Sequence, residues 1–413
     1  MLPPKHDEKL TKRIEKLRQW RYAVVAEVPL EMAETMDHLR TPPEDLHYTP
    51  APVGEMWGRT WGTTWFRGKV EIPRAYRGRR VYYRHDSQPE KLLFVDGAPF
   101  AGMNIRHSEV LLLAYARGGE AYRLHVEAYA GHPIPGSDAY NPVMRHFHSV
   151  GDTPPSAPPF RLDASELLVE REAVSTLYYA ANVLYRTAAM LDAHSLRRAV
   201  ILEQLNEALD MVPMRWESED ELDASVRTAF KHIAALLKQR NAPTTPFVGI
   251  VGHAHIDVGW LWPVRESIRK TARTFSSVLN LMDDYGEFRF LQSQPVLCDL
   301  LEGRYPELLT RIKKRVREGR WEPNGGMWTE ADCNVTSGES LVRQFLEGAK
   351  KTRELFGYTS DTLWLPDVFG YSAAMPQILR GCGIDNFVTW KLNWNDTNRF
   401  PYETFLWRGI DGT

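Results

Sequence analysis

Cysteine is scarce: Cys298, Cys333 and Cys382 are the 3 among 413 residues. They form no CxxC pair and no even-numbered framework, which excludes a disulfide-stapled secreted scaffold and points to a reduced, cytoplasmic protein. Long apolar runs are lacking too. No stretch approaches the ~18 uninterrupted apolar residues of a membrane span. The opening MLPPKHDEKLTKRIEKLRQW stays charged through Arg18, where a secretory signal needs an apolar run of roughly 7–15 residues. Charge of one sign is also missing. With 51 Lys+Arg against 53 Asp+Glu, a net charge of −2 gives no general attraction to nucleic acid or an anionic membrane. Neither a GxSxG elbow, an HExxH helix nor a GxxxxGK[ST] phosphate cradle occurs, so serine acyl transfer, zincin-type proteolysis and P-loop nucleotide binding are unsupported.

What is present builds cores. The hydrophobic share is 43% and the aromatic share 11%, enough to exclude disorder for most of the chain. The 13 Trp and 17 Tyr are a weak hint of stacking on sugars or bases.

The patterning separates four regions. Residues 1–40 read as an N-terminal helix, with Leu10, Ile14 and Leu17 at spacings of four and three. Residues 41–55 read as a linker opening a β-sandwich-like domain that runs to 150. In it, Phe66, Val70 and Ile72 alternate with Arg67, Lys69 and Glu71, and Leu92–Val95 meets an Asp96-Gly97 turn signal. Trp57, Trp61 and Trp65 are read as core, with a sugar-stacking surface as the alternative. Asp152–Pro159 is a second linker, and 160–242 is a helical connecting region in which 163–240 is read as helix throughout.

From 246 to 413 strands and helices alternate, which implies a parallel sheet, barrel or open. Six strands are expected: Phe247–Val251 as a buried parallel strand, then Phe288–Leu291, Trp321–Trp328, Thr362–Leu365, Asn386–Trp390 and Thr404–Trp407. The basic run Arg311, Lys313, Lys314, Arg315 and Arg317 is read as the solvated face of a helix rather than a nucleic-acid contact.

In parallel α/β folds, function gathers at the carboxyl ends of strands. The first strand ends in Gly252-His253-Ala254-His255-Ile256-Asp257. Ligand-type residues at alternate positions share one side of an extended chain, and imidazole with carboxylate suits a borderline divalent ion. His253 is read as supporting the ligands, since not every member of such a run can reach one ion. Asp367, after Thr362–Leu365, can be a nucleophile, a ligand or a helix cap. Gly325-Gly326 suits a close backbone approach, and Glu322, Asn324, Glu330 and Asp332 stand around it. Lys391 is either a surface lysine or a buried cation facing a substrate.

These motifs resemble a known family. His253–Trp262 (HAHIDVGWLW) resembles the metal-binding opening of the glycoside hydrolase family 38 α-mannosidases. Gly319–Trp328 (GRWEPNGGMW) and Ser337–Gln344 (SGESLVRQ) resemble the cytosolic-type branch, and Trp364–Ser372 its nucleophile motif. The resemblance implies that His255, Asp257 and Asp367 hold Zn²⁺ (or Co²⁺) and that Asp367 is the nucleophile. It implies that Trp260 and Phe369 pack around mannose, and that Lys391 is the basic residue beside the nucleophile. The implied fold is multidomain α/β with β: a sandwich-like domain and a helical segment, then an incomplete seven-stranded β/α barrel-like catalytic domain. The family's general acid and last ligating His are expected beyond Thr413, so the chain by itself is expected to be inactive. The implied partner is a mannose-containing oligosaccharide, with no nucleic acid and no membrane; a homo-oligomeric full-length protein is allowed. Two other classes stay open, a metal-dependent hydrolase such as a deacetylase and a non-catalytic sugar-binding chain.

Overall fold

The structure, a computed structural model, describes residues 4–131, 160–241, 244–260 and 262–413. The Asp152–Pro159 linker, Pro243 and Leu261 lie outside these residues. In chain order, the described elements begin with α1 (Pro4–Trp20), β1 (Tyr22–Glu27), β2 (Leu30–Thr35), β3 (Thr49–Ala51), β4 (Met56–Trp57) and β5 (Thr63–Glu71). Next come β6 (Val81–Asp86), β7 (Lys91–Val95), β8 (Ala98–Met103), β9 (Glu109–Leu113), β10 (Ala121–Tyr129), β11 (Phe160–Arg161) and β12 (Ala164–Glu170). Three helices follow: α2 (Glu172–Met190), α3 (Leu196–Asp210) and α4 (Glu219–Leu237). The rest alternates: β13 (Gly252–His253), α5 (Val264–Asp284), β14 (Phe290–Leu291), α6 (Pro295–Glu302), α7 (Pro306–Arg317), β15 (Trp321–Glu322) and α8 (Gly338–Phe356). It ends with β16 (Thr362–Leu365), α9 (Met375–Gly381), β17 (Asn386–Thr389) and a 3-10 turn at Lys391–Trp394.

Two antiparallel sheets make the sandwich, in the orders β3-β2-β5-β10-β7-β8 and β1-β12-β6-β9. Their facing side chains, among them Phe66, Ile72, Val81, Tyr83, Leu93, Leu124 and Leu167, form one buried core. The period-two reading of β5 holds, and it pairs with β10 from Thr63↔Tyr129 to Glu71↔Ala121. Asp96 and Gly97 both adopt positive φ between β7 and β8, as a tight hairpin turn requires. Trp57 and Trp65 are core residues and no sugar platform: both are fully buried.

Several elements differ from the sequence reading. The helix expected over 1–40 stops at Trp20, and β1 and β2 follow. β-Branched Val24 and Val25 and the break at Pro29 favour extended chain there. The expected linker 41–55 contains β3, which pairs with β2. Ala164–Glu170 is a strand between β1 and β6, where helix was expected; an apolar run this short fits either state, and ladder partners decide.

α1 is joined to the chain through the sandwich but packs with α2, α3 and α4. Leu10, Ile14 and Leu17 sit in one core with Leu177, Leu205 and Ile233. Ser218 caps α4, its hydroxyl accepting from Glu221 N at 3.2 Å, and three acidic residues occupy the first turn, the favourable end of the helix dipole.

The larger sandwich sheet is covered on its second face as well. Trp65, Leu92 and Phe94 pack with Ala272, Phe275 and Leu279 of α5. Burying each large side chain of this kind is worth roughly 1.5–3 kcal/mol. Charges are buried in the same seam. Arg269 Nη1 reaches Glu127 Oε1 at 2.5 Å and Thr63 Oγ1 at 2.8 Å, and Arg273 Nη1 reaches Glu266 Oε1 at 2.7 Å. This seam fixes α5, and with it the loop before α5, against the sandwich.

The C-terminal part is α/β with parallel pairing. Among the described residues the strands form two ladders, β13-β14-β15 and β16-β17. Three expected strands are corrected. The expected Trp321–Trp328 is strand only at Trp321–Glu322. Phe247–Val251 is not a buried strand: Phe247 is 95% and Ile250 90% exposed. A strand needs a ladder partner, and pairing with β14 starts only at Gly252. Thr404–Trp407 is also outside any strand; Trp407 packs its ring on Tyr371 and Phe387 instead. The basic run on α7 is a surface face, with Arg311 and Arg315 paired to Asp283 and Lys314 near Glu318.

Candidate active site

The candidate residues gather at the carboxyl ends of β13, β14, β15 and β16. Gly252 lets β13 lie close to β14, since a Cβ there would sit 2.9 Å from the Phe288 ring. Beyond β13 the chain leaves the ladder. Ile256 turns into the core, so its neighbours His255 and Asp257 turn the other way. Two contacts pin this loop: Gln294 Nε2 donates to Ile256 O at 2.9 Å, and Ser267 Oγ donates to Asp257 O at 3.2 Å.

His255, Asp257 and Asp367 each offer a ligand atom, and these atoms lie within 4.8 Å of one another. His255 Nε2 is 3.1 Å from Asp257 Oδ1 and 3.6 Å from Asp367 Oδ2. Ligands of one ion sit at ~2 Å from it, hence within roughly 4 Å of each other. The widest separation here exceeds that by less than an ångström, within the reach of a side-chain rotation. One imidazole and two carboxylates are donors suited to Zn²⁺ or a similar divalent ion. Asp367 is no helix cap: α9 starts without a side-chain cap, and Asp367 faces His255 and Lys391.

Lys391 is a buried cation. Its side chain is 8% exposed, and Nζ pairs with Asp367 Oδ1. The same ammonium lies 3.2 Å from the Trp394 ring centroid and 4.9 Å from that of Phe369. Phe369 is thereby brought to the site with a largely exposed face. Trp260 stands half-exposed on the loop after Asp257, in edge contact with Trp262 at 5.4 Å.

His253 is absent from the ligand group. Its Nε2 lies 3.1 Å from Ser293 Oγ, and Ser293 in turn donates to Glu330 Oε1. The other carboxylate oxygen of Glu330 meets His255 Nδ1. Burial opposes a charge on His255, but hydrogen bonds to Asp257 and Glu330 outweigh it and push its pKa up to about 10. Burial would likewise raise Glu330, yet hydrogen bonds from His253, His255 and Ser293 hold it below the usual carboxylate range.

Sequence reasoning gave Glu330 no role and overlooked Ser293 and Gln294. A signal existed. Gln292-Ser293-Gln294 follows the apolar pair Phe290–Leu291, and three polar residues at the carboxyl end of a parallel strand are a site signature. The close approach expected of Gly325 is real: a Cβ there would sit 2.1 Å from Ser293 O. Gly326 has φ +81°, a left-handed backbone that suits glycine.

Residues 246–413 match the glycosyl hydrolases family 38 N-terminal domain, and residues 17–158 match the alpha-mannosidase jelly roll domain. Residues 246–413 are thus a glycosyl hydrolase family 38 N-terminal domain. Relatives of the chain include alpha-mannosidase 2C1 of Homo sapiens, 34% identical over 89% of this chain and 34% of that protein. Alpha-mannosidase G of Dictyostelium discoideum is 32% identical over 89% of this chain and 33% of its own length. An alpha-mannosidase of Saccharomyces cerevisiae is 44% identical over 40% of this chain and 15% of that protein. The chain thus spans about a third of the length of the first two.

Proposed function

We propose that this chain carries the nucleophile and part of the metal site of a retaining α-mannosidase acting on terminal α-mannosides of oligosaccharides. The observation that carries the reading is the meeting of Asp367 with His255, Asp257 and Lys391 at the carboxyl ends of parallel strands. Two carboxyl groups do the work of a retaining glycosidase. A carboxylate oxygen of Asp367 bonds to the anomeric carbon while the bond from that carbon to the leaving oxygen breaks. The leaving oxygen takes its proton from a second carboxylic acid, which is assigned to no residue of this chain. Water then bonds to the anomeric carbon, giving its proton to the second carboxylate as the bond to Asp367 breaks, and frees Asp367.

His255, Asp257 and Asp367 would hold Zn²⁺ or Co²⁺. When bound, the ion supplies positive charge for the sugar's adjacent hydroxyls. Lys391 holds Asp367 in place, and the exposed faces of Phe369 and Trp260 offer stacking surface for the sugar ring. The parallel strands belong, in this reading, to a seven-stranded barrel-like domain. A cytoplasmic location fits the three free cysteines, and no helix of the described residues is long and apolar enough to cross a membrane.

The test is trapping with a fluorinated mannosyl analogue, using the chain extended to the length of its relatives. The expected result is a mannosyl adduct on the peptide containing Asp367. An adduct elsewhere, or none while α-mannosides are still hydrolysed, overturns the nucleophile. Release of acetate from acetylated sugars without α-mannoside hydrolysis would favour the deacetylase class instead.

A further inference from the structure

We propose that Glu330 is the positioning residue for His255, and that Ser293 and His253 fix Glu330 for that task. This rests on reading His255 as a metal ligand.

Donor accounting leads to it. Glu330 is 2% exposed and sits on the loop after β15, 75 residues from His255. A carboxylate can only accept, so the group shared with His255 Nδ1 is a hydrogen on that nitrogen. Nδ1 is therefore committed. By the same accounting Nε2 shares a hydrogen with Asp257 at 3.1 Å in the metal-free chain, and Nε2, which also faces Asp367 at 3.6 Å, is the nitrogen that would give up that hydrogen to an ion. Ser293 has one hydroxyl hydrogen. Its nearer acceptor is Glu330 Oε1, with Gln292 Oε1 farther at 3.4 Å. The Ser293 oxygen is then free to accept, and His253 Nε2, 3.1 Å away, supplies the hydrogen. The chain of donors runs from His253 to Ser293 to Glu330 Oε1, while His255 donates to Oε2. The Glu330 backbone is tied as well, its N–H donating to Gln294 Oε1 at 3.1 Å. Gln294 also holds Ile256 O, so one side chain of β14's end sets both the loop that carries His255 and the loop that carries Glu330.

The arrangement gives the His-x-His-x-Asp run a division of labour. His255 and Asp257 face the ion. His253, two residues earlier, faces the group that orients His255. A carboxylate behind a ligating imidazole fixes ring orientation and raises ligand basicity, and its loss typically costs 10–100-fold in metal affinity.

The experiment uses the 413-residue chain, with Co²⁺ and Zn²⁺ as probes. Chelator competition measures affinity, and crystal structures of the metal-free variants locate the His255 ring. Glu330→Leu is expected to lower affinity 10–100-fold and to let the ring rotate, taking Nε2 away from Asp257 and Asp367. Glu330→Gln keeps one acceptor for Nδ1 and is expected to retain the ring orientation with a smaller loss. It also guards against a folding failure of the Leu variant. Ser293→Ala should fall between the two. If Nε2 of His255 still faces Asp257 and Asp367 in Glu330→Leu, the positioning role is overturned whatever the metal affinity. If His255→Ala binds both metals as well as the unaltered chain, the metal reading fails, and the ring orientation still decides the role of Glu330.

Discussion

Lys391 meets one oxygen of Asp367, Oδ1, while the other, Oδ2, faces His255 Nε2 at 3.6 Å. The two oxygens of one carboxylate are thus divided between a buried ammonium and the ligand group. Lys391→Met keeps most of the stem and its packing under Trp394 but removes the charge. In the protein extended to the length of its relatives, kcat/KM for an aryl α-mannoside is expected to fall by roughly 10²-fold, the scale of losing one preorganised charged contact. Steady-state kinetics checks this. An unchanged kcat/KM would separate Lys391 from the chemistry.

The seam between sandwich and α5 should be intolerant of half-removal. Glu127 is 0% and Arg269 3% exposed, so Glu127→Ala leaves a buried guanidinium short of one of its two carboxylate partners, Glu266 being the other. Breaking a buried pair in this way costs about 3–5 kcal/mol. The double variant Glu127→Leu/Arg269→Met is expected to recover much of that loss. Urea unfolding of both variants decides; equal losses would argue against a coupled pair.

Lys91 gives stability a pH dependence. Burial pushes its ammonium down to about 7, with Asp86 pulling the other way. An unfolded lysine titrates near 10.4, so between about pH 7 and 10 the unfolded chain binds more protons than the folded one. Stability from this group therefore rises with pH through that window, and is least below pH 7, where both states are charged. In Lys91→Met the rise should flatten. Melting temperatures from pH 6.5 to 9.5 measure it, and an unchanged slope would remove Lys91 as its source.

Gly325→Ala should disturb two strands at once. The added Cβ would meet Ser293 O at 2.1 Å and Ser293 Cα at 2.4 Å, backbone atoms that cannot swing aside. Overpacking of this kind costs typically 1–3 kcal/mol. Since Ser293 donates to Glu330, metal affinity is expected to fall together with stability. A variant that loses stability but keeps full metal affinity would uncouple the two.

The sequence by itself determined a good part of this. Apolar runs and punctuation placed Thr362–Leu365 as observed, and the alternation of β5 nearly so. These are local patterns whose period or turn chemistry allows one solution. The grouping of His255, Asp257 and Asp367 was legible because each follows an apolar run that leads to the carboxyl end of a strand, although the run before β13 is itself no strand. Tertiary structure alone decided the rest, because the deciding partners are remote in sequence. Ala164–Glu170 became a strand through β1 and β6, Phe247–Val251 stayed exposed where ladder pairing had not yet begun, and α1 found its core among helices more than 150 residues away. Glu330 shows the same limit at the site itself. An isolated carboxylate on a loop carries no pattern, and its meaning comes from two donors, His255 and Ser293, that folding brings to it from the ends of two other strands.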